Sequence, residues 1–223
     1  MALKGTAAIA IWEAIEPAMV AEHDAWHANE HIAERLSVPG FLRGRRFCAV
    51  ELSAREQRFI FYEIESLAVP TSPGYLERLN APTPWSRRVM SAMRLNRTLC
   101  RVVASIGAGV GAHLLAVRFS PVSGGESALR AWLAGEALPA IAGMPDVLGA
   151  HLLQKDAETV RPLTGEEKLR KGGGDLSADW IVLVETGAAG ALDSVSKALG
   201  ALRDRGADAE PAMRYALAQV AMP

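Results

Sequence analysis

Charge of either sign is in no excess in this chain: 24 lysines and arginines stand against 25 acids, a formal net charge of −1 over 223 residues. That balance excludes the strongly basic surface that nucleic acid or an anionic membrane selects, so neither is expected as a partner. Cysteine is nearly absent. Cys48 and Cys100 both fall in strand-like runs, and such thiols are expected to be buried and reduced rather than part of a disulfide framework. Long apolar runs are missing too, since none approaches the ~20 residues of a membrane span. The N-terminal MALKGTAAIAIWEA has too short an apolar run for a signal peptide and carries Trp12-Glu13 where a cleavage site would stand, so the expected location is cytoplasmic. What is present is a core-forming composition, 50% hydrophobic and 22% charged, enough for one large domain or two small ones.

The chain is organised around His23 to Phe47. His23, His27 and His31 recur every four residues with Glu30 and Glu34 among them, on a helix expected from Pro17 to about Leu36. Pro39-Gly40 ends that helix. Around it the pattern predicts strands at Thr6–Glu13, Leu42–Leu52, Arg58–Ile64 and Leu95–Ser105. Helical stretches from Pro73 to about Leu79 and on to about Met93 are split by the turn Ala81-Pro82-Thr83-Pro84-Trp85. The order is β-α-β-β-α-β, the split βαβ of ferredoxin-like domains. After the glycine-rich Gly107–Gly111 the same order returns, with strands at 113–119, Val147–Lys155, Trp180–Thr186 and Arg214–Ala221. A polar insertion at about 157–178 separates the second and third of these.

Trp26, Glu30 and Pro39 match Trp132, Glu136 and Pro145 at a spacing of 106, and Phe61-Tyr62-Glu63 matches Leu183-Val184-Glu185 at 122. The difference is the extra length that the insertion gives this connection over its first-half equivalent. An internal duplication follows, with one ferredoxin-like repeat at 1–107 and a second at 108–223. A sheet covered by helices on one face needs a partner for the other. The expected α+β fold is therefore two tandem repeats, packed sheet face to sheet face as one pseudo-symmetric α+β barrel with helices outside. Small-molecule sites are expected in its interior or at its mouth.

Several side chains can carry chemistry. Residues four apart share a helix face, so His27, His31 and Glu30 offer an imidazole beside a carboxylate for proton transfer. With Ala21, Ala25, Ile32 and Leu36 as the apolar stripe, that face points to solvent or a subunit contact unless the helix crosses the barrel mouth. A metal is not expected, because nothing else completes a recognisable ligand set. Arg43 and Arg45 face one side of their strand and Arg46 the other. Arg46 and Arg101 are candidates for holding an anionic substrate, with ion pairs to Glu51 or Glu63 as the alternative. Glu63, an acid in an apolar strand, is a candidate general acid or base if buried. Trp12 and Trp85 are candidates for lining the substrate. Lys171-Gly172-Gly173-Gly174 lacks phosphate-loop spacing and reads as a mobile loop, with a lid over the mouth as the alternative.

The segment WH-x-x-EH-x-x-ERL-x-x-PGF-x-RGRR, Trp26 to Arg46, with the Ala81–Trp85 turn, resembles a branch of the dimeric α+β barrel superfamily. That superfamily includes EthD-like proteins, antibiotic-biosynthesis-type monooxygenases and muconolactone isomerases. The resemblance covers roughly residues 6–105; beyond them only element order and a few anchors match. It implies a fused version of what are usually paired chains, hence a monomeric pseudo-dimer or a homodimer. It carries over His27, Glu30, His31 and Arg35. Members include cofactor-free oxygenases, isomerases, cyclases and haem enzymes, so the resemblance implies fold more than reaction. The expected function is a small-molecule enzyme, an isomerase, lyase/cyclase or cofactor-free monooxygenase, acting on an anionic or enolisable substrate without a cofactor. The alternative is a non-catalytic binding or assembly module using the histidine face as a subunit contact.

Overall fold

The structure, a computed structural model, describes residues 3–51, 55–159, 163–169 and 179–223. Strand β1 (Ala7–Ile15) leads into helix α1, built from Val20–Trp26, a π-helical turn His27–His31 and Ile32–Leu36. Strands β2 (Phe41–Ala49) and β3 (Arg58–Ile64) follow. Helices α2 (Pro73–Asn80) and α3 (Pro84–Met90) each begin on proline, with Ser72 and Thr83 capping them through their side chains. These are the residues that satisfy a helix N-terminus at least cost. The long β4 (Met93–Gly107) closes the first half.

The second half runs through β5 (His113–Pro121) and α4 (Glu126–Trp132, π-helical Leu133–Ala137, Leu138–Ala142) to β6 (Val147–Lys155). It continues with α5 (Gly165–Leu169), β7 (Trp180–Thr186), α6 (Ala191–Leu199), β8 (Ala207–Ala209) and β9 (Met213–Ala221). Lys171 to Gly174, for which a mobile loop was expected with a lid as the alternative, lies outside the described residues.

Neighbouring strands run β4-β1-β3-β2 in the first half and β9-β5-β7-β6 in the second, all antiparallel. The halves do not stack face on face as two separate sheets. They join at their edges, β2 to β9 and β4 to β6, and close an eight-stranded barrel. The length of β4 makes this possible. Met93–Arg101 pairs with β1, while Cys100–Gly107 pairs with β6. Elements correspond at a constant offset, Ala7–Ile15 to His113–Pro121 and Phe41–Ala49 to Val147–Lys155, each 106 residues on. The π turns, His27–His31 and Leu133–Ala137, obey the same offset.

Alternation along each strand sorts side chains to two faces. Inward go Ala8, Ala10 and Trp12 of β1, Phe47 of β2, Phe59 and Phe61 of β3, and Ile181 and Leu183 of β7. Small residues on β1 oppose the aromatic ring stack Trp12–Phe59–Phe47, whose centroids lie 4.8 and 5.8 Å apart. Among the described residues these side chains pack as a core, so of the two places expected for a site, the interior or the mouth, the interior is filled here. The interior also holds charge. Glu63 accepts from Arg43 Nε (2.7 Å) and Nη2 (2.9 Å) and from the Lys4 backbone N–H (2.6 Å), and lies 3.1 Å from Arg45 Nη2. Glu185 accepts from Arg45 Nη1 (2.6 Å) and the Gly111 N–H (2.9 Å) and stands 3.3 Å from His151 Nε2.

Helix α1 lies on the outer face of β1, β3 and β2. Its seating corrects the expected apolar stripe: Ala21 and Ala25 are exposed, while His23, Trp26 and His27 are buried with Ile32 and Leu36. The π turn is the reason. The inward line runs His23, His27, Ile32, Leu36, with steps of four, five and four, and an extra residue in a turn is what a π-helix accommodates. Gly44 lets the helix sit close, because a Cβ there would meet Ile32 Cγ1 and Tyr62 Cε1 at 3.0 Å.

Candidate functional site

Between α1 and the sheet a cleft opens at the end where α2 and α5 approach. Ile9 and Ile11 of β1, Phe41 of β2, Tyr62 of β3 and Arg97 of β4 form its floor. His31 and Arg35 of α1, Tyr75 and Leu79 of α2, and Thr164, Glu166 and Glu167 of the insertion form its walls. Its free volume is about 30 Å³, roughly the share of one liquid water. As it stands, the cleft does not fit a haem.

Two guanidinium groups dominate the cleft. Arg35, 2% exposed, is ion-paired through Nη2 with Glu166 Oε1, stands 3.4 Å from Glu34 Oε2, and lies over the Tyr75 ring at 5.7 Å. Burial opposes its charge, but Glu166, Tyr75 and Glu34 outweigh that and raise its pKa further. Arg35 Nη1 and Arg97 Nη2 are buried without a hydrogen-bond partner among the described residues. Tyr62 is pushed well above the usual phenol range by burial.

Deeper along the same helix lie the other two histidines. His23 Nε2 stands 3.0 Å from Glu13 Oε2 and its Nδ1 3.3 Å from Asp24 Oδ1. Burial alone would lower its pKa, but the Glu13 charge and hydrogen bonds to Asp24 and Glu13 raise it to about 9. His27 is driven the other way, to about 3, chiefly by burial, with the charges of His23 and Arg46 adding to it. Its Nε2 is 3.5 Å from the Tyr62 hydroxyl. Asp24 gathers Arg46 Nη1 (2.5 Å) and Arg58 Nη2 (2.6 Å) beneath the helix.

Of the residues nominated from sequence, His31 and Arg35, the latter carried over from the resemblance, line the cleft. The His31 ring packs on Trp26 at 4.3 Å and its Nδ1 is 4.0 Å from Glu34 Oε2. His27 is fully buried behind Tyr62. Glu30 accepts from the hydroxyls of Thr83 (2.7 Å) and Ser86 (3.1 Å), and Ser86 Oγ accepts from Trp26 Nε1–H (3.1 Å), so it ties α1 to α3. Glu63 and Trp12 belong to the barrel interior, and Arg118 covers Trp12 at 4.8 Å. Arg46 is spent on Asp24. Arg101 lies on the surface with Asp156 (3.1 Å) and Glu158 (3.2 Å). Trp85 packs beside Trp26, Val89 and Met90.

Sequence reasoning missed Tyr62, Tyr75 and Glu166, whereas Arg97 was legible as sharing a strand face with Arg101, among the arginines able to hold an anionic group. Tyr62 was legible as the outward neighbour of Glu63, but nothing marked Glu166, which arrives from the insertion. Among the described residues His31, Glu34 and Glu166 bring one ligand atom each within 4.8 Å of one another. The Arg35 guanidinium already stands against both carboxylates, so a positive charge is in place there.

No helix among the described residues is long and apolar enough to cross a membrane. No protein-family model and no curated protein matches the sequence. Solved structures do. An anthrone oxidase-like protein aligns at a TM-score of 0.65 with 10% identity, over 98% of this chain and 93% of its own. A proposed monooxygenase from Fusobacterium nucleatum aligns at 0.63 with 6% identity, over 99% and 96%. A mutant chlorite dismutase from Candidatus Nitrospira defluvii aligns at 0.60 with 10% identity, over 96% and 92%. These neighbours are members of the dimeric α+β barrel superfamily, and at such identities the likeness establishes the fold.

Proposed function

We propose that the chain is a small-molecule enzyme of the cofactor-free monooxygenase type, acting on an enolisable substrate in the α1 cleft. One observation carries the reading. His31 shares a cleft lined by Tyr62, Tyr75 and Phe41 with two guanidinium groups that each present a buried nitrogen without a hydrogen-bond partner among the described residues. In this reading His31 accepts a proton from an activated C–H. The electron pair left behind passes to the carbonyl oxygen, where Arg97 stabilises the enolate. Molecular oxygen then takes electrons from that enolate, and a CH2 with O2 becomes a carbonyl with water. Reprotonation at another carbon would make the same site an isomerase. His27 is too weakly basic for the proton, and its place behind Tyr62 suits it to holding the wall of the cleft. The assembly reading loses its surface, because His23 and His27 are covered by this chain's own sheet.

The matched strand orders and the 106-residue offset of helices, π turns and strands support a duplication with repeats at 1–107 and 108–223. In the second half Leu133 and Ala137 stand where His27 and His31 do, so one site per chain follows. A barrel closed within one chain supports a monomeric pseudo-dimer, which sedimentation can test. The catalytic reading is tested with anthrone-2-carboxylate as the probe, an enolisable CH2 compound that carries a carboxylate, following oxygen uptake and quinone absorbance. Wild-type protein is expected to accelerate both and His31→Ala to lose at least 100-fold. Equal rates in the two proteins would remove His31 from the reaction.

A further inference from the structure

The cleft is held shut by a charge of its own. Glu166 sits on α5, 131 residues from Arg35 in sequence, and places its carboxylate on the Arg35 guanidinium. Beside the polar His31, Arg97, Thr164 and Glu167, half of the lining is apolar or aromatic, from Ile9, Ile11, Phe41, Tyr62, Tyr75 and Leu79. With about 30 Å³ free, nothing larger than a water enters unless Glu166 gives way. A neutral ligand that displaced Glu166 would leave a buried guanidinium with only Glu34 beside it, a costly state. A carboxylate that displaced it would keep the charge paired. It would also find two donors that Glu166 leaves unused, Arg35 Nη1 and Arg97 Nη2, and guanidinium donors suit carboxylate geometry.

We propose that the α1 cleft takes a ligand with a carboxylate on an aromatic or otherwise flat apolar body, and that Glu166 is a built-in surrogate for that carboxylate, competing with the ligand for Arg35. The inference rests on the cleft being the ligand site, and it names the substrate class. α5 is anchored apart from this contact, since the Gly165 N–H donates to Asn80 Oδ1 of α2 (2.9 Å), and it is shaped from within, since Glu167 Oε2 accepts from the Thr164 N–H (2.8 Å) and hydroxyl (2.9 Å). Removing the Glu166 charge therefore leaves other contacts to seat the segment. The second half has no counterpart of this arrangement, because Leu138 and Ala142 of α4 stand where Ile32 and Leu36 do and Ile141 where Arg35 does.

The test is binding, measured by calorimetry with benzoate, salicylate and 2-naphthoate as probes and 2-naphthamide as the uncharged control. Glu166→Gln is expected to bind at least one carboxylate tenfold or more tighter than wild type, with the amide unchanged. Arg97→Gln in that background is expected to remove most of the gain. Should Glu166→Gln fail to fold, Arg97→Gln alone is compared with wild type, and a fivefold or greater loss of carboxylate affinity with no change for the amide is expected. No binding of any carboxylate, equal affinity of Glu166→Gln and wild type, or an amide that binds as well as its acid would each overturn the proposal. Because the readout is affinity, a carboxylate effect without oxygen uptake leaves this inference standing and removes the oxygenase reading alone.

Discussion

His23 and His27 lie one turn apart on the same helix, their rings 6.1 Å apart and both without solvent exposure, yet they are held in opposite protonation states. Glu13 and Asp24 keep His23 charged to about pH 9. Burial among apolar side chains, next to that charge and to Arg46, keeps His27 neutral down to about pH 3.

A stability optimum near pH 6.5 follows. Between pH 6.5 and about 9 folded His23 keeps a proton that the unfolded chain has released, so stability falls as pH rises. Below pH 6.5 the unfolded chain binds a proton at His27 that the folded state refuses until about pH 3, so stability falls as pH drops. Each limb has a slope of about 1.4 kcal/mol per pH unit. Urea unfolding from pH 5 to 9.5 measures both. His23→Gln should flatten the alkaline limb and His27→Gln the acid one, and unchanged slopes would show that these histidines do not set the optimum.

Replacing His27 by Ala should cost about 2 kcal/mol or more, because the ring is enclosed and its loss leaves a cavity behind Tyr62. His31→Ala should cost under about 1 kcal/mol, since that ring is partly exposed. Denaturation midpoints separate the two. Similar costs would mean that the cleft edge is as tightly packed as the helix–sheet contact.

Glu63→Ala leaves Arg43 and Arg45 facing each other inside the barrel without their shared acid. A loss on the order of 3–5 kcal/mol is expected. If the variant melts with wild type, the remaining partners, Glu185 of Arg45 among them, must hold the two guanidinium groups without Glu63.

Thr83→Ala removes the cap of α3 and one of the hydroxyls donating to Glu30. About 1 kcal/mol should be lost, with the α1 histidines' titration unaltered. A shift of the alkaline limb would show that the α1–α3 tie also positions His23.

Much of the architecture was legible in the chain. Proline after Ser72 and Thr83, and alternation in strands such as RFIFYEI, located helices and strands to within a few residues. The Trp26/Trp132 spacing gave an offset that the element boundaries reproduce. The site was less legible, for two physical reasons. A face assigned at 3.6 residues per turn goes wrong where a π turn adds a residue, which is how His23 and His27 came to be expected outside. A charged strand residue reveals its face only relative to its neighbours, so Arg46 and Glu63 read as equally good candidates although one lies under α1 and the other inside the barrel. Glu166 meets Arg35 only through the path of the insertion, which no local pattern encodes.

The paired π turns have a consequence for how this helix can change. Each is a slip of phase of one residue, and it occurs where the first half has His27 and His31 and the second has Leu133 and Ala137. A slip shared by such different side chains serves the seating of a helix on a curved sheet, and imidazole chemistry is a tenant of that irregularity rather than its cause. A one-residue deletion between positions 27 and 31 would turn Ile32 to Leu36 by about 100° relative to His23. Arg35 would then swing away from the cleft, whereas substitutions within those five positions leave the helix in step.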